Sequence, residues 1–587
     1  MPAPPPPRDA LQRRSAGAAG QAPAALAPAW LFWRTAVLVT LLAVASAFAV
    51  GRWLQLGVPM PVAEPGTDRL ECVSYAPFRR PGESPFDPLA FVQESRIEAD
   101  LRALSARTGC VRTYSVSQGL DAVPRVARRL GMTVLLGAWI GRDRADNERE
   151  LARAVALARE ERDVVRALIV GNEVMLRREL PEAELAGLIA RARAEVPVPV
   201  TYADVWEFWL KHPSLASAVT FVTIHVLPYW EDEPVGIDSA ITHVIDVHRL
   251  MQRELPGREI LLGEIGWPSE GRARRDAVPG RLEQARFVRG FVAAATGHEL
   301  RYNLIEGFDQ PWKRRLEGAM GGYWGVLDSE ARPKFGWTGP VAPREDVGPG
   351  LRAALAGALI GLLLLLPAAG RRLVAGERRG RATVLLHAVV GATAGAGLGA
   401  TLAEQWRYMT LWNRGPLEWG TTAPMTLLAL AACICAALWF ARQHAAHPRP
   451  IPGMAMVVHD WVSKARAPGL DAWLGLLFAL VLFGAAVTAV LHAFDARYRG
   501  FPWPLFGPAA LAAGLLWCAG LRRDAQAVEE RWLAAVVLGG AVLMVVREGP
   551  LNAQALGYAA LLGVLGGPAV ARASTSSPSS APTAAGS

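Results

Sequence analysis

Two glutamates stand where packing alone does not readily account for a charge. The stretches Ile169-Val170-Gly171-Asn172-Glu173 and Leu261-Leu262-Gly263-Glu264-Ile265-Gly266-Trp267-Pro268 each carry an apolar run straight into a carboxylate. Cleavage of a glycosidic bond requires two facing carboxyls: one protonates the leaving oxygen, and the other stabilises or attacks the anomeric carbon. Either glutamate alone could equally cap a following helix or pair with an arginine. Both together, at equivalent ends of two apolar runs and flanked by Asn172 and Trp267, point to that chemistry.

For the pair to face each other, one mouth must present both. Residues 70 to 340 alternate β-branched or aromatic runs with amphipathic stretches such as Glu148–Arg159 and Pro181–Glu195. The runs are Glu71–Pro77, Cys110–Val116, Thr133–Ile140, Ala167–Val174, Val198–Trp206, Val219–Tyr229, Glu259–Trp267 and Tyr302–Phe308. Eight strands alternating with helices predict an α/β fold of the (β/α)8 TIM-barrel class, whose active site lies at the C-terminal strand ends. Glu173 ends the fourth run and Glu264 the seventh, so both belong to the same mouth. An open doubly wound sheet is the alternative, but no G-x-G-x-x-G turn follows an early strand. His225 and Asp204, near the ends of the sixth and fifth runs, either line the cleft or are satisfied polar residues.

The chain of 587 residues is 52% hydrophobic, and its apolar content is concentrated outside this barrel. A Pro- and Ala-rich stretch, 1–29, with Arg8, Arg13 and Arg14 reads as a disordered basic cytoplasmic tail. Residues 30–51 form an apolar stretch of about 20 residues, enough at ~1.5 Å per residue to cross a ~30 Å hydrocarbon core. Small residues at Ala45, Ala47 and Ala49 also permit cleavage by a signal peptidase; with or without cleavage, the barrel is exported. The barrel domain then occupies 60–345. A membrane domain of about seven helices comes next over 351–570, and 571–587 form a second disordered tail. Apolar segments at 352–370, 382–402, 421–441, 470–492, 503–521, 532–546 and 551–569, with the first anchor, make eight expected spans.

Loop charge sets their orientation. Loops expected inside carry Arg371, Arg372, Arg378, Arg379, Arg381, Arg442, Arg449, Lys464, Arg466, Arg522, Arg523 and Arg531. Those expected outside carry only Arg407, Arg414, Arg497, Arg499 and Arg547. This asymmetry places the barrel on the periplasmic side of the cytoplasmic membrane. The net charge of +9 is therefore a topological signal, and with no long basic run it does not indicate a nucleic-acid partner. The spans hold almost no ionisable residues beyond His387, unlike an ion-coupled transporter. Trp406, Trp412, Trp419 and Trp503 fit an interfacial aromatic belt. Of the five cysteines, none has metal-ligand spacing. Cys433, Cys435 and Cys518 read as packing residues. Cys72 and Cys110, at matching places in neighbouring strands, are either two buried thiols or one disulfide.

Val170-Gly171-Asn172-Glu173-Val174 and Gly263-Glu264-Ile265-Gly266-Trp267-Pro268 resemble the two catalytic motifs of glycoside hydrolase family 17, the β-1,3-glucanases and related glucanosyltransferases. Val73-Ser74-Tyr75-Ala76-Pro77-Phe78 resembles its bacterial and fungal branch. So do Glu306-Gly307-Phe308-Asp309-Gln310-Pro311-Trp312-Lys313, Tyr323-Trp324-Gly325-Val326 and Arg332-Pro333-Lys334. The likeness spans about residues 70 to 340. It implies a retaining reaction with Glu173 as general acid/base and Glu264 as nucleophile, no cofactor and no metal. It further implies that Asn172 holds the sugar 2-hydroxyl, that Tyr229 sits beside the nucleophile, and that Asp309, Lys313 and Glu317 form a supporting polar cluster. Tyr75, Trp230, Trp267 and Trp312 are the candidate sugar platforms, each with a packing role as its alternative. The expected partners are a β-glucan, the lipid bilayer and a glucan synthase. A non-catalytic glucan-binding module and an export accessory are the competing readings. The first has no need for a carboxylate pair; for the second, the lack of buried charge in the spans counts against ion coupling but leaves open passive passage or partner contact.

Overall fold

A computed structural model describes residues 27–374, 380–442, 450–464, 468–494, 498–524 and 527–570. Of the expected tails, 1–26 and 571–587 fall outside these residues, as do Arg378, Arg379, Arg449, Arg466 and Arg497, whereas 27–29 belong to the first helix. Eight parallel strands close a barrel in chain order: β1 Val73–Ser74, β2 Cys110–Arg112, β3 Thr133–Ala138, β4 Val165–Asn172, β5 Val200–Val205, β6 Val222–His225, β7 Ile260–Ile265 and β8 Arg301–Leu304. Each overlaps one of the eight expected runs; seven are shorter, because the run ends belong to the loops of the mouth, and β4 is as long as its run but begins two residues earlier.

Amphipathic helices cover the barrel. The helix Ile237–Glu254 buries Ala240, Val244, Val247, His248 and Met251, one stripe at helical spacing. Inside the barrel the lower layer is apolar, built from Leu135, Ala167, Ile169, Ala203, Phe221 and Leu261 around Cys72 and Cys110. Those two cysteines are joined as a disulfide between β1 and β2. The side chains above that layer turn polar, with Ser74, Arg112, Thr223 and Asn303 all buried. Met60 pairs antiparallel with Val341, so the chain enters and leaves the domain at one place.

The helix Ala27–Leu56 precedes the barrel. After it come Gly348–Val374, Gly380–Trp412, Pro416–Arg442, the short Met454–Val462, Leu470–Phe494, Trp503–Cys518, Val528–Glu548 and Ala553–Val570. Among the described residues, six helices have membrane-spanning length and hydropathy: Thr35–Leu56, Gly348–Pro367, Val384–Trp412, Pro416–Trp439, Leu470–Phe494 and Ala553–Val570. Two of the eight expected spans are not among them. Trp503–Cys518 is apolar but only 16 residues long, and Val528–Glu548 carries Glu529 and Glu530 in its first turn and Arg547 in its last. The helices Gly348–Val374 and Gly380–Trp412 pack with almost no gap, since a Cβ on Gly357 would lie 2.1 Å from the Gly395 carbonyl. Small residues allow that approach, as in membrane helix pairs.

The connections at two ends of this bundle differ. Those at 413–415, 498–502 and 549–552 lie on the barrel's side, where Arg272 is ion-paired with Glu548 and Arg407 with Glu270. At the other end Ile451 pairs with Arg523 and Arg523 with Glu530.

Candidate active site

Strand register delivers the site. Asn172 of β4 is aligned with Ala203, Val205 with His225, and His225 with Glu264 of β7. Glu173 follows Asn172 with a left-handed φ of 54°, after Gly171 at 85°. That conformation costs a residue bearing a Cβ about 1–2 kcal/mol, and such strain gathers at functional positions. Here it turns the carboxylate inward over the barrel mouth. Gly263 is fixed for a different reason, since a Cβ there would meet Thr223 Cγ2 at 2.4 Å. Its bare backbone lets the Gly263 carbonyl accept from Arg112 Nη1 at 2.7 Å and from Asn303 Nδ2 at 2.8 Å.

Glu173, His225 and Glu264 meet, one ligating atom from each lying within 4.8 Å of the others. His225 Nδ1 is 2.9 Å from Glu173 Oε1. A carboxylate only accepts, so that nitrogen carries the hydrogen. His225 Nε2 lies 3.7 Å from Glu264 Oε1. Tyr114 donates its hydroxyl to Glu264 Oε1 at 2.8 Å, and Arg112 Nη1 stands 3.4 Å from the same oxygen. Arg112 Nη2 donates to Asn172 Oδ1 at 2.5 Å, and its guanidinium lies 4.7 Å above the Tyr114 ring. Three groups with this spacing could also cage a divalent cation. The fixed guanidinium 3.4 Å from both Glu264 Oε1 and His225 Nε2 puts a positive charge where such an ion would sit, and the set reads better as a carboxylate pair.

Environment separates these acids. Burial pushes the Glu173 carboxyl up. The hydrogen bond from His225, then the charges of His225, Arg177 and Arg112, outweigh it and leave Glu173 below the ordinary value. Burial raises Asp204 to about 6; the Tyr202 hydrogen bond opposes this and the Glu173 charge adds to it. Asp204 accepts from the amides of Met175 and Leu176 at 3.2 and 3.3 Å, which holds the turn after Glu173. Burial and the charge of Glu264 push the Tyr114 phenol well up, so it stays a donor.

Beside the pair lies a second polar group. Lys313 Nζ donates to both oxygens of buried Glu306 at 2.9 Å. Burial raises Glu306 to about 7 against the pull of Lys313. Glu317 is also raised, by burial and by repulsion from Glu173 and Glu264, with Lys313 opposing. Asp309 does not join Lys313; its partner is Lys334 at 2.8 Å.

The structure relocates other expected roles. Tyr229 donates its hydroxyl to the Arg272 carbonyl at 2.8 Å, and it is the Tyr114 phenol that donates to Glu264. Tyr75 is buried, donating to Asp100 at 3.1 Å and packed edge-on to Phe308. Trp267 is fully buried against Phe287 and Tyr229 and offers no face to a sugar. Trp312 is half-buried, edge-on to exposed Phe86 at 5.5 Å. Arg112 and Tyr114 escaped the sequence reading. Arg112 obeys the rule that found the glutamates, a charge closing the short apolar run Cys110-Val111.

A closed eight-stranded parallel barrel with carboxylates at the mouth ends of β4 and β7 is a glycosidase frame. The chain matches the BtgE/BtgC glycoside hydrolase domain over residues 72–325. It is 24% identical over 265 residues to the probable beta-glucosidase btgE of Aspergillus fumigatus, covering 44% of this chain and 45% of that protein. It is also 24% identical over 264 residues to the glucan 1,3-beta-glucosidase of Candida albicans, covering 41% and 85%. The chain thus spans just under half the length of the first of these relatives. An active-site mutant of Rhizomucor miehei beta-1,3-glucanosyltransferase, solved with laminaritriose, is 23% identical over 45% of this chain and 95% of that one, with a TM-score of 0.40.

Proposed function

We propose that the barrel domain, residues 60–345, is a retaining glycosidase or transglycosylase acting on β-1,3-glucan. The carrying observation is the short separation of Glu173 and Glu264, whose reactive atoms lie within 4.8 Å with His225. Retaining enzymes hold their carboxyls about 5–5.5 Å apart, whereas inverting ones leave about 6.5–9.5 Å for a water. Glu264 attacks the anomeric carbon while Glu173 protonates the leaving oxygen. Glu173 then takes a proton from the incoming hydroxyl as the glycosyl ester on Glu264 breaks. Asn172, with its carbonyl oxygen committed to Arg112, presents its amide hydrogens to a sugar hydroxyl. Water as the second acceptor gives hydrolysis and a sugar gives transfer. The name of the Candida albicans relative, a glucan 1,3-beta-glucosidase, supports β-1,3-glucan as substrate.

We further infer that the protein is a multi-pass protein of the cytoplasmic membrane with this domain outside, where a glucan synthase would supply its substrate. The Cys72–Cys110 disulfide supports an oxidising compartment, and the basic loops away from the barrel support the same orientation. A reporter active only outside the cytoplasm, fused after Val341, should be active; silence would reverse the orientation. The chemistry is tested by incubating the full-length protein with laminari-oligosaccharides and following products by mass and anomeric configuration by NMR. Retained β-configuration is expected, abolished by Glu264→Gln in a folded protein. Inverted products, or full turnover by that variant, would discard the mechanism.

A further inference from the structure

The helical region meets the barrel at the mouth itself. In the loop after β7, buried Arg272 is ion-paired with Glu548, and the Ala273 carbonyl accepts from buried Asn552 at 3.0 Å. In the loop after β6, Trp230 lies against Tyr498, from the connection between Leu470–Phe494 and Trp503–Cys518, with ring centroids 6.1 Å apart and tilted by 45°. In the loop after β8, Gly318 has a φ of 78°, and a Cβ there would stand 2.9 Å from the Tyr498 carbonyl. Gly318 follows Glu317, the carboxyl that feels both Glu173 and Glu264. Tyr498 therefore sits one residue from a group in the field of the catalytic pair. Its ring is partly exposed, and its hydroxyl has no hydrogen-bond partner among the described residues. Anchoring alone requires only the two covalent connections at Leu56 and Gly348.

We propose that Tyr498 is a sugar-contacting residue of the same cleft, so that the helical region binds the glucan chain as well as tethering the domain. The proposal rests on the reading of the barrel as glucan-active. A glucosyl unit leaving the mouth over the loops after β6 and β8 meets Tyr498 next. An aromatic face packs against the C–H face of a pyranose, and the phenol adds a hydrogen-bonding group beside it. Rings tilted by 45° suit a chain whose successive units turn, as β-1,3-linked units do. The site therefore selects for length: a chain must extend from Glu264 across Gly318 to reach it.

Full-length Tyr498→Ala and Tyr498→Phe are compared with the parent on laminari-oligosaccharides of three and of eight units. Tyr498→Ala should raise KM for the longer chain by about tenfold, the loss of one aromatic contact, and leave the trisaccharide unchanged. Tyr498→Phe should return the longer chain to within about threefold. Equal KM values for the octasaccharide in Tyr498→Ala and parent would overturn the proposal. So would a fall on both chain lengths, since that marks loss of domain docking. If the parent turns over no β-glucan at all, the reading of the barrel has failed rather than the role of Tyr498.

Discussion

Tyr114→Phe removes one oxygen and leaves the ring in place beneath the Arg112 guanidinium, 4.7 Å away. The lost group donates to Glu264 Oε1 at 2.8 Å. Burial and the Glu264 charge keep that phenol protonated, so it acts as a donor at any working pH. The substitution also takes away the acceptor of the buried Ser74 hydroxyl, which donates to the Tyr114 oxygen because the phenol hydrogen goes to Glu264; Ser74 keeps the bond it accepts from Asn303 Nδ2 at 2.8 Å. The remaining donor to that oxygen, Arg112 Nη1 at 3.4 Å, is too distant to substitute fully. A hydrogen bond to a charged group contributes about 1.5–3 kcal/mol, and each 1.36 kcal/mol is tenfold in rate. The contact matters most as the glycosyl ester breaks and charge returns to Glu264, so deglycosylation should slow about 10- to 100-fold and the first step less. With an activated aryl β-glucoside, Tyr114→Phe should show a burst followed by slow turnover, and intact-mass measurement should show the accumulated glycosyl-enzyme. Unchanged kcat with no accumulated ester would refute the assignment of Glu264 as the carboxylate that leaves in the second step.

Replacing His225 with Gln removes the first two influences that lower Glu173, leaving burial to raise it; the basic limb of the kcat/KM profile, which reports loss of the general acid, should move to higher pH, and an unmoved limb would mean that Glu173 is not that acid. The Cys72–Cys110 bond closes a loop of sequence separation 38, which on chain entropy contributes about 4 kcal/mol. Cys72→Ser with Cys110→Ser should therefore lower the domain's melting transition by about 10 °C, with added reductant having no further effect on the variant. Glu306, raised to about 7 when folded against about 4.3 unfolded, gives stability that is complete below about pH 4 and is lost as pH rises through about 7. The stability deficit of Glu306→Gln against the parent should therefore shrink between about pH 5 and about pH 8 in paired thermal melts, and a constant deficit would contradict the raised value.

How much was legible depended on whether a side chain's direction mattered. The eight runs were readable because β-branched and aromatic clusters alternate with amphipathic helices. Glu173 and Glu264 were readable because a charge that closes an apolar strand is seldom there for packing. The aromatics carried no such directional signal. Tyr75 and Trp267 occupy mouth-end positions in sequence, yet both turn into the helix layer, where Asp100 and Phe287 receive them. Tyr229 and Tyr114 each follow a strand closely; only the barrel's closure brings Tyr114, two residues after β2, across to β7. The pairing of Asp309 with Lys334 rather than Lys313 depends on the path of the long excursion after β8, which periodicity does not describe. The docking of the helical region was unreadable for the same reason, because Arg272, Glu548 and Asn552 are far apart in sequence and each is unremarkable alone.

The charges around the pair explain why two carboxylates can approach so closely. At about 4 Å two like charges repel by about 4 kcal/mol at an effective dielectric of about 20, enough to force a shared proton unless cations intervene. Arg112 bridges them from the β2 side, holding Asn172 with one nitrogen and reaching Glu264 with the other, while His225 spans the β4 and β6 ends to Glu173. Both carboxylates feel Arg112 and His225, but their hydrogen-bond partners differ. Glu264 has a permanent cation and a neutral phenol, suited to a nucleophile that must remain ionised. Glu173 has an imidazole, whose hydrogen bond can be exchanged for one to a leaving oxygen. The asymmetry supports the proposed roles without recourse to motif likeness, because the carboxylate with the exchangeable partner is the one able to carry a proton in and out.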